Sequence, residues 1–275
     1  MSGGENISPT AHYTGEVWRR NDLSHPWLAT REGRVLFDLL HPLMGASRRI
    51  GGPSLESYLP ARHRAIDALL TDAIEQHGVS QVIEIAAGMS PRGWRFAGRH
   101  GDRLTYIEGD LPEMAQRKRR ALERIGSLGE NHRVVELDAL RPGGPRSLDS
   151  VAAELDPALG LAIVTEGLLG YLPTEAVLSL WRRIARTLEG FAAGRYISDL
   201  HLRSVQGPAV RAFRLVLAGF VRGGVYLHFD DAADARRRLG AAGFGTAKVV
   251  PASEIVSVPG DRGSAMVHIL EASTE

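Results

Sequence analysis

Cysteine is missing altogether from this chain of 275 residues, and lysine almost is: of 33 basic residues only Lys118 and Lys248 are lysine. The absence of cysteine excludes a disulfide framework, thiolate metal ligands and a thiol nucleophile. The shortage of lysine reads as the coding bias of a G+C-rich genome. An excess of charge of one sign is lacking too. The 33 basic residues face 32 acidic ones, a formal charge of +1, so the chain has no basic footprint of the kind a nucleic-acid binder needs. No apolar run reaches membrane-spanning length, and the opening "MSGGENISPT" has neither the charged nor the apolar region of a secretory signal. These absences predict a cytoplasmic protein whose partner is a small molecule or a peptide, with no nucleic acid and no membrane.

The length suits one large α/β domain, or one such domain with a helical extension. Residues 12–80 carry helical patterns and no strand-like alternation. The longest is "SLESYLPARHRAIDALLTDAIEQHG", with Ile66, Leu69, Leu70, Ala73 and Ile74 at helical spacing and Gly78 as a stop. The rhythm then changes. Short β-rich runs follow at "QVIEIA", "LTYIEG", "HRVVELD", "LAIVTE", "RYISDLHL", "AKVVPA" and "AMVHILEA", most of them separated by helical segments. Alternating strands and helices predict βαβ units and a mostly parallel sheet. The last two runs have no helix between them and are expected to pair antiparallel. A division follows into an N-terminal helical cap over 1–80 and an α/β domain over 81–275, with a lid over the substrate at 201–229.

Ligands of such sheets bind beyond the carboxyl ends of the strands, where the strand order reverses. The first predicted strand ends in Glu84, Ala86 and Gly88, the second in Glu108 and Asp110, the third in Asp138 and the fourth in Glu166. Four successive strands ending on carboxylates describe an acidic pocket rim. A dinucleotide would need the GxGxxG turn to hold its pyrophosphate. Here the loop has only Gly88, and a phosphate would be repelled by the rim. S-adenosylmethionine fits better. It has no phosphate, carries a sulfonium and an ammonium that carboxylates stabilise, and has a ribose diol for an acid about 20 residues after the glycine.

The blocks "VIEIAAGMSPRGW", "YIEGDLPEMAQRKRRAL", "VVELDAL" and "TEGLLGYLPTEAVLSLW" resemble the leucine carboxyl methyltransferase family, which includes protein phosphatase methyltransferases and tetracenomycin-type polyketide carboxyl O-methyltransferases. The resemblance runs from about residue 58 to about residue 190, with a weaker echo in "TAHYTGEVWRRNDLSHP". It implies a Rossmann-like class I methyltransferase fold: a mostly parallel seven-stranded sheet with an antiparallel last strand and helices on both faces. It also implies residue roles. Loop glycines pack against the methionyl part of S-adenosylmethionine, and here those positions are Ala86 and Gly88. Asp110 matches the acid on the ribose diol, with Glu84 and Glu108 at neighbouring strand ends. Asp138 and Ala139 match the pair that holds the adenine. Glu166 matches the acid beside the cofactor's amino-acid end, and Arg62 an arginine that reaches a cofactor or substrate carboxylate, a pairing that suits its planar fork. Tyr171 matches a tyrosine near the substrate.

Blander readings stand beside these. Arg62 and Arg64 lie on an arginine-rich helix and could be surface charges. Tyr171 could belong to the core. Trp181, with Val177, Leu180, Ile184 and Leu188 at helical spacing, reads as core. His12, His201 and His228 are candidate bases, though a lone histidine is more often structural. No histidine and carboxylate cluster has metal-ligand spacing. The expected reaction is O-methylation of a small natural-product intermediate. A carboxylate acceptor is already ionised at neutral pH and needs only desolvation and aim; a hydroxyl needs a base, for which His201 or Tyr171 would serve. A methyltransferase of a protein or peptide carboxyl group, and a non-catalytic binding protein of the same fold, remain as alternatives.

Overall fold

The computed structural model describes residues 9–39, 55–205, 226–256 and 264–275. Along these run α1 (Pro9–Arg20), a helical stretch α2 over 31–39, and α3 (Leu55–Gln76). The alternating part follows: β1 (Val79–Ile85), α4 (Arg92–His100), β2 (Thr105–Asp110), α5 (Pro112–Ile125), β3 (His132–Glu136), α6 (Leu148–Ala152), β4 (Gly160–Thr165), α7 (Thr174–Glu189), β5 (Gly194–Leu200), α8 (Ala232–Ala242), β6 (Thr246–Pro251) and β7 (His268–Ser273). Every strand falls on a run that the sequence marked.

The seven strands form one sheet in the order β3-β2-β1-β4-β5-β7-β6. The first five are mutually parallel, and β7 enters antiparallel between β5 and β6. Strand order reverses between β1 and β4, which puts the crevice at their carboxyl ends. Helices cover both faces, and this explains why the central strands read as continuous apolar runs. On one face Val82, Tyr106, Val164 and Ile197 pack with Ile66, Leu70 and Ala73 of α3 and Phe96 of α4. On the other, Ile83, Ile107 and Ile163 pack with Trp181, Ile184 and Leu188 of α7 and Leu239 of α8. A third cluster joins Met114, Ala115 and Leu122 of α5 to Leu28 and Met89.

The helix ends follow local chemistry. α5 begins on Pro112 and is stopped by Gly126, left-handed at φ 70°. Asp231 caps α8 by accepting from the Asp234 amide, and Gly243 ends it at φ 112°. The expected stop after α3 is Gly78, at φ 70°. Because α3 shares its core cluster with β1 and β5, the packing has no seam at residue 80. The expected lid at 201–229 lies for the most part, over 206–225, outside the described residues. Its two ends meet: Leu202 bridges Phe229, and Arg203 donates from its amide to the Phe229 carbonyl at 3.0 Å.

Trp181, expected in the core, is wholly buried and stacks on Phe229 with ring centroids 4.9 Å apart. It therefore supports the foot of that insertion as well as the sheet. Trp181→Ala is expected to destabilise the protein by about 3–5 kcal/mol, and Trp181→Phe by much less, as read from urea unfolding. Equal, small losses in both variants would count against this placement.

Candidate active site

A cleft opens at the carboxyl ends of β1, β4 and β5. Its floor is the turn after β1, Ala86 to Ser90, and the turn after β4, Glu166 to Tyr171; Thr14 and Trp18 of α1, Tyr58, Leu59 and Arg62 of α3, and Asp199, His201, Tyr226 and His228 complete the walls. The β1 turn has an unusual backbone. Gly88 takes φ 50° and Ala86, where the family resemblance has glycine, takes φ 55°. Alanine thus adopts the left-handed conformation that glycine enters freely and that costs an L-residue roughly 1–2 kcal/mol. The departure at this position keeps the shape of the turn at the cost of local strain.

Beneath the cleft lies a network of buried ions. Arg92, the first residue of α4, is wholly buried. Its Nε donates to Asp67 of α3 at 2.7 Å, its Nη1 to Glu84 of β1 at 2.6 Å and its Nη2 to Glu166 after β4 at 2.6 Å. Glu84 also accepts from the Tyr106 hydroxyl at 2.8 Å. Glu166 accepts from Arg62 Nε at 3.0 Å and pairs with His63 Nδ1 at 2.8 Å. Arg62 Nη1 reaches Asp199 of β5 at 3.2 Å, and the other Asp199 oxygen accepts from the Gly167 amide at 2.7 Å. Arg95 adds a second cation to Asp67 at 2.6 Å. Burial pushes the Glu166 carboxyl up, but His63, Arg62 and Arg92 outweigh it and hold the group well below the ordinary 4.5. Burial acts on Asp67 in the same way and is outweighed by His63, Arg92 and Arg95.

The cleft therefore brings together Arg62, Glu84, Ala86, Gly88, Glu166, Tyr171 and His201 of the residues marked in the sequence. Arg62 is 7% exposed, so the surface-charge reading fails, and its guanidinium is engaged by Glu166 and Asp199. Tyr171, at 39% exposure, is at the mouth and outside the core. Asp110 adjoins the cleft through the turn: one oxygen accepts from the Gly88 amide at 2.6 Å and the other from the Leu111 amide at 2.8 Å. Burial raises its carboxyl above the ordinary 3.8, against the pull of those two amides. Asp138 and Ala139 lie in the loop after β3, apart from the cleft walls. Asp138 accepts from the Leu140 amide at 2.9 Å, and the Ala139 carbonyl accepts from Arg183 at 2.6 Å.

Glu108 departs from expectation. It is wholly buried, paired with Lys118 and with His132 Nε2 at 2.7 Å, and does not line the cleft. The reason is the strand repeat: two residues before Asp110, it sits roughly 6–7 Å back from the strand end, beneath α4. Gly93 makes room for it, since a side chain there would collide with the Glu108 carboxylate. Of the other histidines, His12 bonds Thr30 at 2.9 Å. His228 lines the cleft with Nε2 on the Leu169 carbonyl at 2.9 Å and Nδ1 near Thr174 at 3.1 Å. His201 Nε2 meets the Tyr58 hydroxyl at 2.6 Å on the same side of the cleft. Among the described residues no group of three or more carboxylates and histidines could hold a metal ion, and no helix is long and apolar enough to cross a membrane.

Sequence reasoning missed Arg92, His63, Asp67 and Asp199. Two of them left a trace. An arginine at the first position of a helix opposes the helix dipole, and Asp199 is a charge near the end of a strand-like run of the sequence.

A model of the leucine carboxyl methyltransferase family matches residues 26–185. A Mycolicibacterium gilvum protein whose name places it among the S-adenosylmethionine-dependent methyltransferases is 34% identical over 132 residues, which is 48% of this chain and 41% of that protein. A like-named Mycobacterium ulcerans protein is 28% identical over 60% of this chain and 53% of its own length. The chain thus spans about half the length of the curated relatives it matches. Among solved structures, a methyltransferase-like protein of Thermobifida fusca superposes with a TM-score of 0.66 over 98% of this chain and 96% of its own, at 15% identity. Magnesium protoporphyrin IX methyltransferase of Synechocystis, solved with S-adenosylhomocysteine, gives 0.53 over 88% of this chain and 99% of its own, also at 15% identity. At such identities these likenesses speak for the fold.

The ion network generates a pH expectation. A carboxylate whose folded-state pKa is depressed contributes stability that is present above its unfolded value and lost as pH falls through the folded one. Glu166→Gln is expected to cost about 3–5 kcal/mol at neutral pH, since it leaves buried cations underpaired. The gap to the native protein should stay constant down to about pH 4.5 and close only below it, as followed by urea unfolding across pH. A gap that shrinks between pH 7 and 5 would refute the depressed carboxyl.

Proposed function

The chain belongs to the leucine carboxyl methyltransferase family, and from that premise we propose that it is an S-adenosylmethionine-dependent O-methyltransferase acting on a carboxylate of a small, mainly apolar acceptor. The observation that carries the reading is the pairing of the left-handed β1 turn with Asp110, whose carboxylate holds the Gly88 amide from the neighbouring strand end. A turn so held places an acid beside the floor of the cleft, where a ribose diol can be accepted.

The donor set fits this cofactor by its chemistry. Glu84, Glu166 and Asp199 line the cleft, and carboxylates favour an ammonium and a sulfonium while repelling a phosphate. When bound, S-adenosylmethionine supplies a methyl group activated on a sulfonium. Asp110 would accept from the ribose hydroxyls, Asp138 with Ala139 would take the adenine edge in the loop after β3, and Glu166 would meet the amino-acid end. Arg62 would act as a positioning residue, because it ties Glu166 after β4 to Asp199 of β5. On the other side Tyr171, His201, Tyr226 and His228 offer aromatic walls for the acceptor. With α1, they would exclude water and aim the acceptor oxygen at the methyl carbon, in line with the departing sulfur. No covalent intermediate with the enzyme is needed, so positioning supplies most of the rate.

Asp110→Ala is expected to weaken S-adenosylmethionine and S-adenosylhomocysteine by about 1–3 kcal/mol in calorimetric titration. A native chain that binds neither would end the enzyme reading and favour a binding protein of the same fold. Unchanged affinity in the variant would remove Asp110 from the ribose.

The Tyr58–His201 pair favours a second reading, a hydroxyl acceptor, since a hydroxyl needs its proton removed and His201 lines the acceptor side. With such an acceptor, turnover should climb with pH as a histidine base loses its proton, and His201→Asn should abolish that dependence. A pH-independent rate from about 6 to 8, unaltered in the variant, returns the acceptor to a carboxylate.

A further inference from the structure

A second concavity lies outside the cleft. It is a groove of about 700 Å³ between α5 and the segment 27–32, and it shares Met89 with the cleft. Its walls are fixed to each other, because Leu28 sinks into one apolar cluster with Met114, Ala115 and Leu122 of α5. The neighbouring Trp27 stays outside that cluster and is 53% exposed. Tryptophan is highly buried on average, so a ring this open is unusual. The guanidinium of Arg124 lies over it, 5.3 Å from the ring centroid.

The charge of the groove is one-sided. Four arginines and two acids line it. Arg117 is paired with Glu32 at 3.3 Å, whereas Arg31, Arg120 and Arg124 have no ion-pair partner among the described residues. Arg117, Arg120 and Arg124 follow one another at three and four positions on α5, so they share a face on which like charges repel. The whole chain has a formal charge of only +1, so the excess is local. The stretches outside the described residues carry two acids, Glu5 and Asp261, far apart in the chain. One acid cannot meet three guanidinium groups. The counter-charge therefore belongs to another molecule.

The spacing of the arginines selects its shape. From Arg117 to Arg124 the helix rises about 10 Å, more than one phosphate can bridge. Acids on one face of an extended peptide stand about 6–7 Å apart, so two or three of them match the row. Arginine and tryptophan are also the residues on which protein interfaces concentrate their binding energy. We propose that this groove docks an extended acidic segment of a partner polypeptide, with carboxylates on Arg120 and Arg124 and an apolar side chain on Trp27. Through Met89 the docked partner lies beside the turn after β1. The assignment goes beyond the methyltransferase reading and does not depend on it.

The test titrates the full chain into a fluorescein-labelled octapeptide of alternating glutamate and leucine, followed by fluorescence anisotropy. Binding should saturate, and Arg120→Glu with Arg124→Glu should weaken it at least about ten-fold through the loss of two charge-assisted contacts. Arg182→Glu with Arg186→Glu makes the same charge change at the same spacing on exposed positions of α7. At about 0.15 M salt that control should alter binding by less than about two-fold, since distant surface charges are screened. In nitrogen-15 spectra of the native protein, the indole resonance that vanishes in Trp27→Phe should shift when the peptide is added. This measurement holds even if a charge variant folds poorly. An absence of saturable binding, an equal loss in the control pair or an unmoved Trp27 resonance would overturn the assignment. Displacement of the peptide by equimolar tripolyphosphate or by a short thymidine oligonucleotide would overturn it too, giving the groove to a small polyanion or to nucleic acid.

Discussion

Arg92 is the point on which the site depends. A guanidinium removed wholly from water costs several kcal/mol unless its donors are met by well-placed acceptors. Here three carboxylates from three separate elements meet it: Asp67 on α3, Glu84 on β1 and Glu166 after β4. The charge therefore fixes the distance and angle between elements far apart in the chain. It also fixes the start of α4, and with it the turn from Ala86 to Ser90 that floors the cleft. A helix that opens on a cation works against its own dipole; the three acids outweigh that penalty.

A second buried pair performs the same task one layer back. Glu108 meets Lys118 of α5 and His132 of β3, and Gly93 of α4 yields the space. β2 thus carries two acids on one face with different work. The inner one ties α4, α5 and β3 together, while the outer one, Asp110, remains near the cleft and holds the Gly88 amide. The distinction follows from the two-residue strand repeat and from what covers each position.

The cleft has two chemically different sides. Around α3 and the ends of β1 and β4 the polar groups are charged, buried and largely satisfied by one another, which favours a fixed geometry. Around Tyr171, His201, Tyr226 and His228 the walls are aromatic, with Tyr226 stacked on His228 and His201 bonded to the Tyr58 hydroxyl. Tyr171 and Tyr226 are about two-fifths exposed, at 39% and 43%. Rigid charge on one side and adaptable aromatic surface on the other suit a constant cofactor and a variable acceptor.

The sequence by itself determined the seven strands, their parallel order up to the last pair, and the burial of the Trp181 helix face, because those depend on local periodicity and on glycine and proline stops. It also marked Glu84, Asp110 and Glu166, since strand-end acids announce themselves beside an apolar run, whereas Arg62 was marked only by the family resemblance. Only the tertiary structure decided which acid pairs with which cation. Glu108 and Asp110 look alike in "YIEGD", yet one is sealed under α4 and the other is at the rim. Arg92, His63, Asp67 and Asp199 are ordinary charges along the chain, and Trp18 an ordinary apolar residue of α1. They become a site when the sheet brings α3, β1, β4 and β5 to one edge, because desolvation and pairing are set by distances between residues far apart in the chain, 137 positions in the case of Arg62 and Asp199.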